Sequence, residues 1–352
     1  MELKPKSRSE IEGIVQGAIS DAVDFVEGEI SQDRIKAQRY YDGEVDLGYE
    51  DGRSKVVATK VRDTVRSVKP SLMRIFLSTA KPVEFVPHGP EDVAMAEQAT
   101  EFMHHEFTRL NGYRVMNDAF QDALVKKQGI VKAYWMTYPE AEIYTFTDLS
   151  DDEYTYLLDD DSVTVLEHTV EMTIEIDPMG MEIQLPIHSV KLSRQKEMGE
   201  LCIQSVPPEE FFINRDARSM EDAYVVAHRT DMRAGDLIAM GYDPDVVLKL
   251  DSFESGSDIT EAEVFERQGY SSDTSDEDQE DPSMRNVAVT EAYMRIDVDG
   301  TGVPVLHKIT CGGTAYEMLD FEPCDELPFA KFEIDPEPHT FYGRSLAEIV
   351  MD

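Results

Sequence analysis

Cysteine is scarce in this chain: three residues in 352, Cys202, Cys311 and Cys324, set far apart. So sparse and odd a set builds neither a disulfide framework nor a zinc site, and it fits a reducing compartment. No stretch approaches the roughly 18 consecutive apolar residues of a membrane-spanning helix. The opening MELKPKSRSEIEG has basic residues but no apolar run behind them, so it does not read as a signal peptide. Glycine loops that cradle phosphates are missing, with no G-x-x-x-x-G-K-[ST] and no G-x-G-x-x-G. No Ser or Cys stands in a G-x-S-x-G setting, and no H-E-x-x-H occurs.

Positive charge is the other shortage. Lys and Arg number 33 against 72 Asp and Glu, a net of −39. Residues 1–132 hold 19 bases and 22 acids, whereas residues 133–352 hold 14 and 50, so the two parts carry −3 and −36. Between Lys132 and Lys191 there are 14 acids and no base. Broad gripping of a phosphate backbone needs Lys and Arg, so that mode of binding is excluded over the acidic part. Two readings of the charge stay open, a heavily solvated surface of halophilic type and a surface built to repel a polyanion. Paired carboxylates abound, but among 72 acids such pairs arise by chance and do not single out a glycosidase.

Apolar residues make up 41%, enough for a core, and the length suggests two or three domains. Residues 9–128 read as helical. Ser9 and Glu12 form an S-x-x-E capping box, followed by Ile11, Ile14, Val15, Ala18, Ile19, Ala22, Val23 and Val26 at helical spacing, so one face should be buried. Tyr40 to Ser54 is rich in turn signals. Val61, Val65, Val68, Leu72 and Phe76 make a second stripe, and Pro70 inside it should break or kink the helix near Lys69. Further helices are expected over Pro90–Asn111 and Val115–Gln128, with Gly129 as a C′ residue at positive φ. From Ile130 to residue 213 the period changes to that of strands, with Asp177-Pro-Met-Gly180 as a turn, and 148–161 reads as a solvated loop or short helix. Short helices follow over 232–250.

Residues 251–282 hold 12 acids and one base, Arg267, and are expected to be an exposed, flexible connector. Residues 283–338 should form a smaller β-rich unit, with a hairpin around Asp297-Val-Asp-Gly-Thr-Gly302. That loop resembles the opening of a calcium loop, but Thr301 and Lys308 occupy positions that need oxygen ligands, so a plain turn is expected. In 339–352, Ser345 and Glu348 cap a helix that reaches Asp352 after about two turns. It is expected to be the start of a longer helix, or one completed by packing on other chains. The body would then be 1–250. His104-His105-Glu106 reads as a partly exposed helical stretch rather than a metal site, since neighbouring helical residues point about 100° apart. The other histidines, His88, His168, His188, His228, His307 and His339, are scattered. Arg34, Lys36 and Arg39 beside Tyr40 and Tyr41 read as a solvated helix face. No catalytic residue, metal site or cofactor is expected.

Longer phrases are more specific. In order come Arg39-Tyr-Tyr-Asp-Gly-Glu44, Gly52-Arg-Ser-Lys-Val-Val57, Val61-Arg-Asp-Thr-Val65 and Lys69-Pro-Ser-Leu-Met-Arg-Ile-Phe76. Gly89-Pro-Glu-Asp-Val93, Ala96-Glu-Gln-Ala-Thr100, Pro208-Glu-Glu-Phe-Phe-Ile-Asn-Arg-Asp-Ala-Arg-Ser219, Val226-Ala-His-Arg229 and Phe341-Tyr-Gly-Arg-Ser345 follow. From about Gln32 to Asp352 this series resembles the portal, or head-to-tail connector, proteins of short-tailed double-stranded DNA bacteriophages. The resemblance implies a non-enzymatic α+β subunit with a wing-like body, assembled in the host cytoplasm into a ring of twelve copies at a capsid vertex of the virion. It implies as partners a terminase large subunit, the major capsid protein and scaffold, a tail adaptor, and duplex DNA that passes through without sequence-specific binding; no membrane is implied. Residues 283–338 would be a clip and 339–352 the start of a stem. The family supplies no catalytic residues, and no DNA-contacting residue carries over by match. A carboxylate-dependent phage hydrolase and another virion protein such as a tail adaptor are the alternatives.

Overall fold

The computed structural model describes residues 4–44, 57–78, 83–160, 162–176, 182–251, 258–268 and 281–351. The chain is mixed α+β, helical toward the N-terminus and dominated by antiparallel strands after it. It forms two compact units, one of residues 1–133 with 203–352 and one of residues 134–202.

In the larger unit, helix α1 (Arg8–Phe25) buries Ile11, Val15, Ala18, Ile19, Ala22 and Val23. Its N-cap is Ser7, two residues earlier than expected: the Ser7 hydroxyl accepts from the Glu10 N–H, and the Glu10 carboxylate accepts from the Ser7 N–H at 2.8 Å. Both S-x-x-E pairs fit the pattern and leave the same face buried. The earlier one adds two residues of helix to a nucleus already formed. A π-helical turn (Val26–Ile30) leads into α2 (Ser31–Asp42), which Gly43 ends at φ 80°.

Helix α3 (Lys60–Leu77) continues uninterrupted past Pro70. The break expected there does not occur. Pro70 and Arg66 both lie on the exposed side, so the Arg66 carbonyl that loses its helical donor faces solvent, while Val61, Val65 and Met73 anchor the opposite side. After α4 (Val93–Arg109) and α5 (Gly112–Val125), the chain turns at Lys127, φ 75°, and enters strand β1 (Gln128–Leu149). Gly129 is therefore not the helix C′ residue. It is a strand residue pressed on α5, where an added Cβ would lie 1.9 Å from the Ala119 carbonyl oxygen.

The core is a five-stranded antiparallel sheet in the order β4 (Phe211–Ile213), β5 (Val225–Arg233), β6 (Asn286–Ile296), β7 (Val305–Gly312), β8 (Glu317–Pro323). Alternation assigns its faces. Phe212, Val225, Ala227 and Ala292 pack with α1, and Phe211, Ile213, Val226 and Tyr293 pack with Ile130, Phe329 and Phe341 on the other side. Strand β9 (Phe329–Glu333) pairs with the first residues of β1, Gln128 to Lys132. Helices α7 (Ala234–Ala239) and α8 (Pro244–Val247) cap one end of the sheet through Leu237, Val247 and Leu250. Met232, expected to open the first of these helices, instead ends up in β5.

The strands expected over 283–338 are present, but β6, β7 and β8 join β4 and β5 in one sheet, with Val225 opposite Met294 through to Arg233 opposite Asn286, and β9 pairs with β1. The compact units consequently do not divide at residues 251–282. Within that acidic segment Asp258–Gln268 is a helix, α9, and Glu263 on it is 1% exposed. Burial wins there over local polarity because cations from other elements meet the carboxylate.

The unit of residues 134–202 contains the rest of β1, helix α6 (Asp151–Leu158), β2 (Val163–Ile176) and the length of β3 (Glu182–Val206) up to Cys202, with β3 between β2 and β1. Its α6 begins at a second capping box, Ser150 with Glu153. The strands β2 and β3 pair from Val163–Arg194 to Ile176–Glu182, with a bulge at Val165/Glu167. The turn Asp177–Gly180 lies outside the described residues, as do 45–56 and 269–280.

Candidate functional site

The most unusual chemistry is a buried ionic junction in the larger unit. Arg34, expected on a solvated face, is fully buried. Its neighbours on α2 explain the difference: Lys36 and Arg39 point outward, whereas Arg34 lies on the same side as the buried Ser31 and Ala37. Its guanidinium donates to the Pro208 carbonyl at 2.8 Å, stands 3.9 Å from the Glu263 carboxylate and lies over the Tyr342 ring at 5.6 Å. Lys126, at the end of α5, is 3.7 Å from Glu209 and 3.8 Å from Glu263. Arg267 on α9 closes the set by meeting Glu209 at 2.7 Å. Around it, burial pushes the Asp122 carboxyl up to about 7; Lys126 opposes the rise and Glu209 adds to it. Burial also raises the Tyr342 hydroxyl, against Arg34 and Gln128 beside it.

A second layer ties the same segments from outside. Lys127 bridges Glu348 at 2.6 Å and Asp33 at 3.0 Å. Glu348 is itself the partner of Ser345 in the capping box of helix α10 (Leu346–Met351), as expected from the sequence. The turn before it needs Gly343, since an added Cβ would lie 2.3 Å from the Asp335 carbonyl oxygen. Glu27 in the π-helical turn accepts from Arg229 at 3.0 Å and from the Thr260 hydroxyl at 2.8 Å, which fixes α9 to the sheet. Across the sheet Lys132 pairs with Glu291, and His228 stands between Lys132 at 3.3 Å and Glu210 at 3.4 Å. Burial would raise the Glu291 carboxyl, but Lys132, Lys308 and His228 outweigh it and hold it below the usual range.

Of the other residues singled out in the sequence, Asp297 anchors a turn by accepting from the Thr301 and Gly302 N–H groups at 2.9 and 2.8 Å. His104 and His105 lie on α4 beside the Glu106–Arg109 pair. His307 stacks on Phe321. Within the smaller unit, Tyr154, His168 and His188 form a stack with ring separations of 4.4–5.1 Å. One polar chain runs through it: His168 Nε2 lies 2.8 Å from His188 Nδ1, and His188 Nε2 lies 2.6 Å from Asp151. These contacts pin α6 to the ribbon. Among the described residues no group of three or more His, Cys, Asp or Glu is placed to hold a metal ion, and no helix is long and apolar enough to cross a membrane. Cys311 is buried, which pushes its thiol up to about 12 and leaves it unreactive.

What these groups do is hold. Glu209, Glu210, Arg229 and Tyr342 come from the phrases Pro208–Ser219, Val226–Arg229 and Phe341–Ser345, and each meets a side chain of another element, Lys126, His228, Glu27 and Arg34 in turn. Sequence reading missed Arg34, Lys126 and Glu263; the one available signal was a base or acid falling on the apolar side of its helix. The family model described as phage SU10 portal protein matches residues 11–352. The chain belongs to this portal family. No curated protein matches it. The family is structural rather than enzymatic, and the portal assignment puts the chain among virion proteins, at the capsid, as a head-tail connector. For a portal subunit the junction has a plain mechanical sense: it clamps α2, the end of α5, the segment before β4, helix α9 and the turn before α10 without any exposed machinery.

Proposed function

We propose that this chain is one subunit of a twelve-membered portal ring at a single capsid vertex. Its copies together form the channel through which a terminase drives the genome during packaging, to which the tail adaptor attaches, and from which DNA leaves on infection. Assembly takes place in the host cytoplasm with the major capsid protein and scaffold. The observation that carries this reading is the portal-family match over nearly the whole chain.

The charge supports it. Duplex DNA carries a negative charge every ~1.7 Å, and each Lys or Arg contact to phosphate adds to its retention. A wall drawn from the part of the chain with net −36 offers few such contacts. Its repulsion acts over about 8 Å at physiological ionic strength, enough to keep a duplex hydrated and sliding. Residues 339–352 are the start of a stem in this reading. Negative-stain images and mass photometry of the full chain test it. Closed annuli are expected, and twelve copies of 39.9 kDa weigh roughly 480 kDa. A chain that stays monomeric at micromolar concentration in both low and high salt refutes it.

A further inference from the structure

The unit of residues 134–202 has too little inside it. Among its described residues only His188, Val190 and Leu192 are buried. Beyond the bulge β2 alternates strictly, with Glu167, Thr169, Glu171 and Thr173 on one face and His168, Val170, Met172 and Ile174 on the other. The second face is apolar, yet Val170 is 47%, Met172 67% and Ile174 58% exposed. A ribbon with an apolar face is stable in water only when something covers that face. Helix α6 covers just the end at His168 and His188, and there it adds the exposed carboxylates Asp151 and Asp152 beside the bare stretch. The unit's 16 acids and three bases give it −13, so neither DNA nor the same unit of another copy suits it.

A complementary face exists on α3. In a chain of net −39 this helix carries five bases, Lys60, Arg62, Arg66, Lys69 and Arg74, against one acid, Asp63. Arg66, Pro70 and Arg74, four residues apart, line one exposed edge, and Ile75 beside them is 71% exposed. It joins an uncovered apolar side chain to uncovered positive charge, which the ribbon matches with apolar side chains and carboxylates.

We propose that the apolar face of β2 in one copy is covered by the Arg66–Arg74–Ile75 face of α3 in the next copy. Ile75 meets Met172, and Arg74 meets Asp151 and Asp152. The contact is head-to-tail, because the two faces differ, and repetition of such a contact gives a ring when its rotation closes, as the ring reading requires. It rests on the ring reading above and names the surfaces that make it.

Two experiments on the full chain test it. In the first, Ile75→Cys and Met172→Cys are made separately, mixed and mildly oxidised. Covalent dimers are expected in the mixture and not in either variant alone. In the second, Arg74→Glu and Asp152→Arg are compared singly and together by mass photometry, with circular dichroism as the check on folding. Each single change should raise the concentration needed for assembly at least ten-fold, and the pair should recover most of the loss. Rings that form at the unmodified concentration in both single variants, with no cross-linked dimer, overturn the inference and leave the portal reading intact. Failure of the unmodified chain to form rings overturns both. Retention of duplex DNA by the unmodified chain that is lost in Arg74→Glu, without any cross-link, assigns the α3 face to nucleic acid and also overturns it.

Discussion

Glu263 gives the sharpest test of the buried junction. Its carboxylate, 1% exposed, lies 3.9 Å from the Arg34 guanidinium and 3.8 Å from the Lys126 ammonium. Replacing Glu263 by Gln keeps the volume and removes the charge, leaving Lys126 with Glu209 and the Arg34 guanidinium with the Pro208 carbonyl. Breaking a buried pair from one side costs about 3–5 kcal/mol. Two features bring the figure down: the separations are beyond hydrogen-bond reach, and Glu209 still stands 3.7 Å from Lys126. An expected loss of about 2–4 kcal/mol remains, which is a rise of roughly 30- to 1000-fold in local opening. Because Glu263 sits on α9, amide exchange over Asp258–Gln268 is the direct readout, since it reports opening of that segment rather than of the whole chain. A control separates charge from packing: the double replacement Arg34→Met with Glu263→Met should recover much of the loss, because an apolar pair of similar volume carries no desolvation cost. Exchange in Glu263→Gln within three-fold of the unmodified chain would refute the view that ionic contacts hold this acidic segment in place.

Asp122 predicts a pH dependence. Its folded pKa of about 7 stands above the ordinary 3.8, so the folded state binds the proton more tightly than the unfolded one. Stability is therefore lost as pH rises from about 4 to about 7, at up to about 1.4 kcal/mol per unit. Asp122→Asn should be more stable than the unmodified chain at pH 8 and no different near pH 4; parallel denaturation curves across that range count against it. Gly343→Ala should cost about 1–3 kcal/mol, since its Cβ lies 2.3 Å from a backbone oxygen that has little room to move; an unchanged melting temperature contradicts the packing described. Lys132→Met leaves Glu291 with Lys308 at 3.8 Å and should cost about 2–4 kcal/mol, most of it recovered by adding Glu291→Met. A double variant no better than the single one in urea titrations would show that the pair is not what Lys132 supplies.

Much of the architecture was legible because periodicity reports burial. The stripe Ile11, Val15, Ala18, Ile19 and the alternation of β2 were readable, as were the hairpin held by Asp297 and the Ser345–Glu348 cap, since each depends on residues close in sequence. The misreadings share a cause. Pro70 is accommodated with its freed carbonyl on the exposed side of α3, and the constraint at Gly129 is space beside Ala119 rather than a positive φ. Arg34 and the acidic segment around Glu263 were read as solvated because each charge was judged alone. They are buried because they meet, and nothing local in the sequence says that residue 34 lies beside residue 263.

The same logic explains where the charge of this portal chain is spent. Arg34, Lys126, Lys132 and Arg229 are all buried, each against a carboxylate. Bases are few, and several of them are sealed inside the larger unit as joints, each with a carboxylate, so fewer of the chain's 33 bases are left on the surface. Among the described residues of 134–202 no Lys or Arg is buried: three bases face 16 acids, and only three described side chains are buried. A unit in that condition gains stability from a cationic, apolar partner and loses it beside another acidic surface. The proposed contact with α3 of a neighbouring copy would supply such a partner and leave the excess carboxylates facing water.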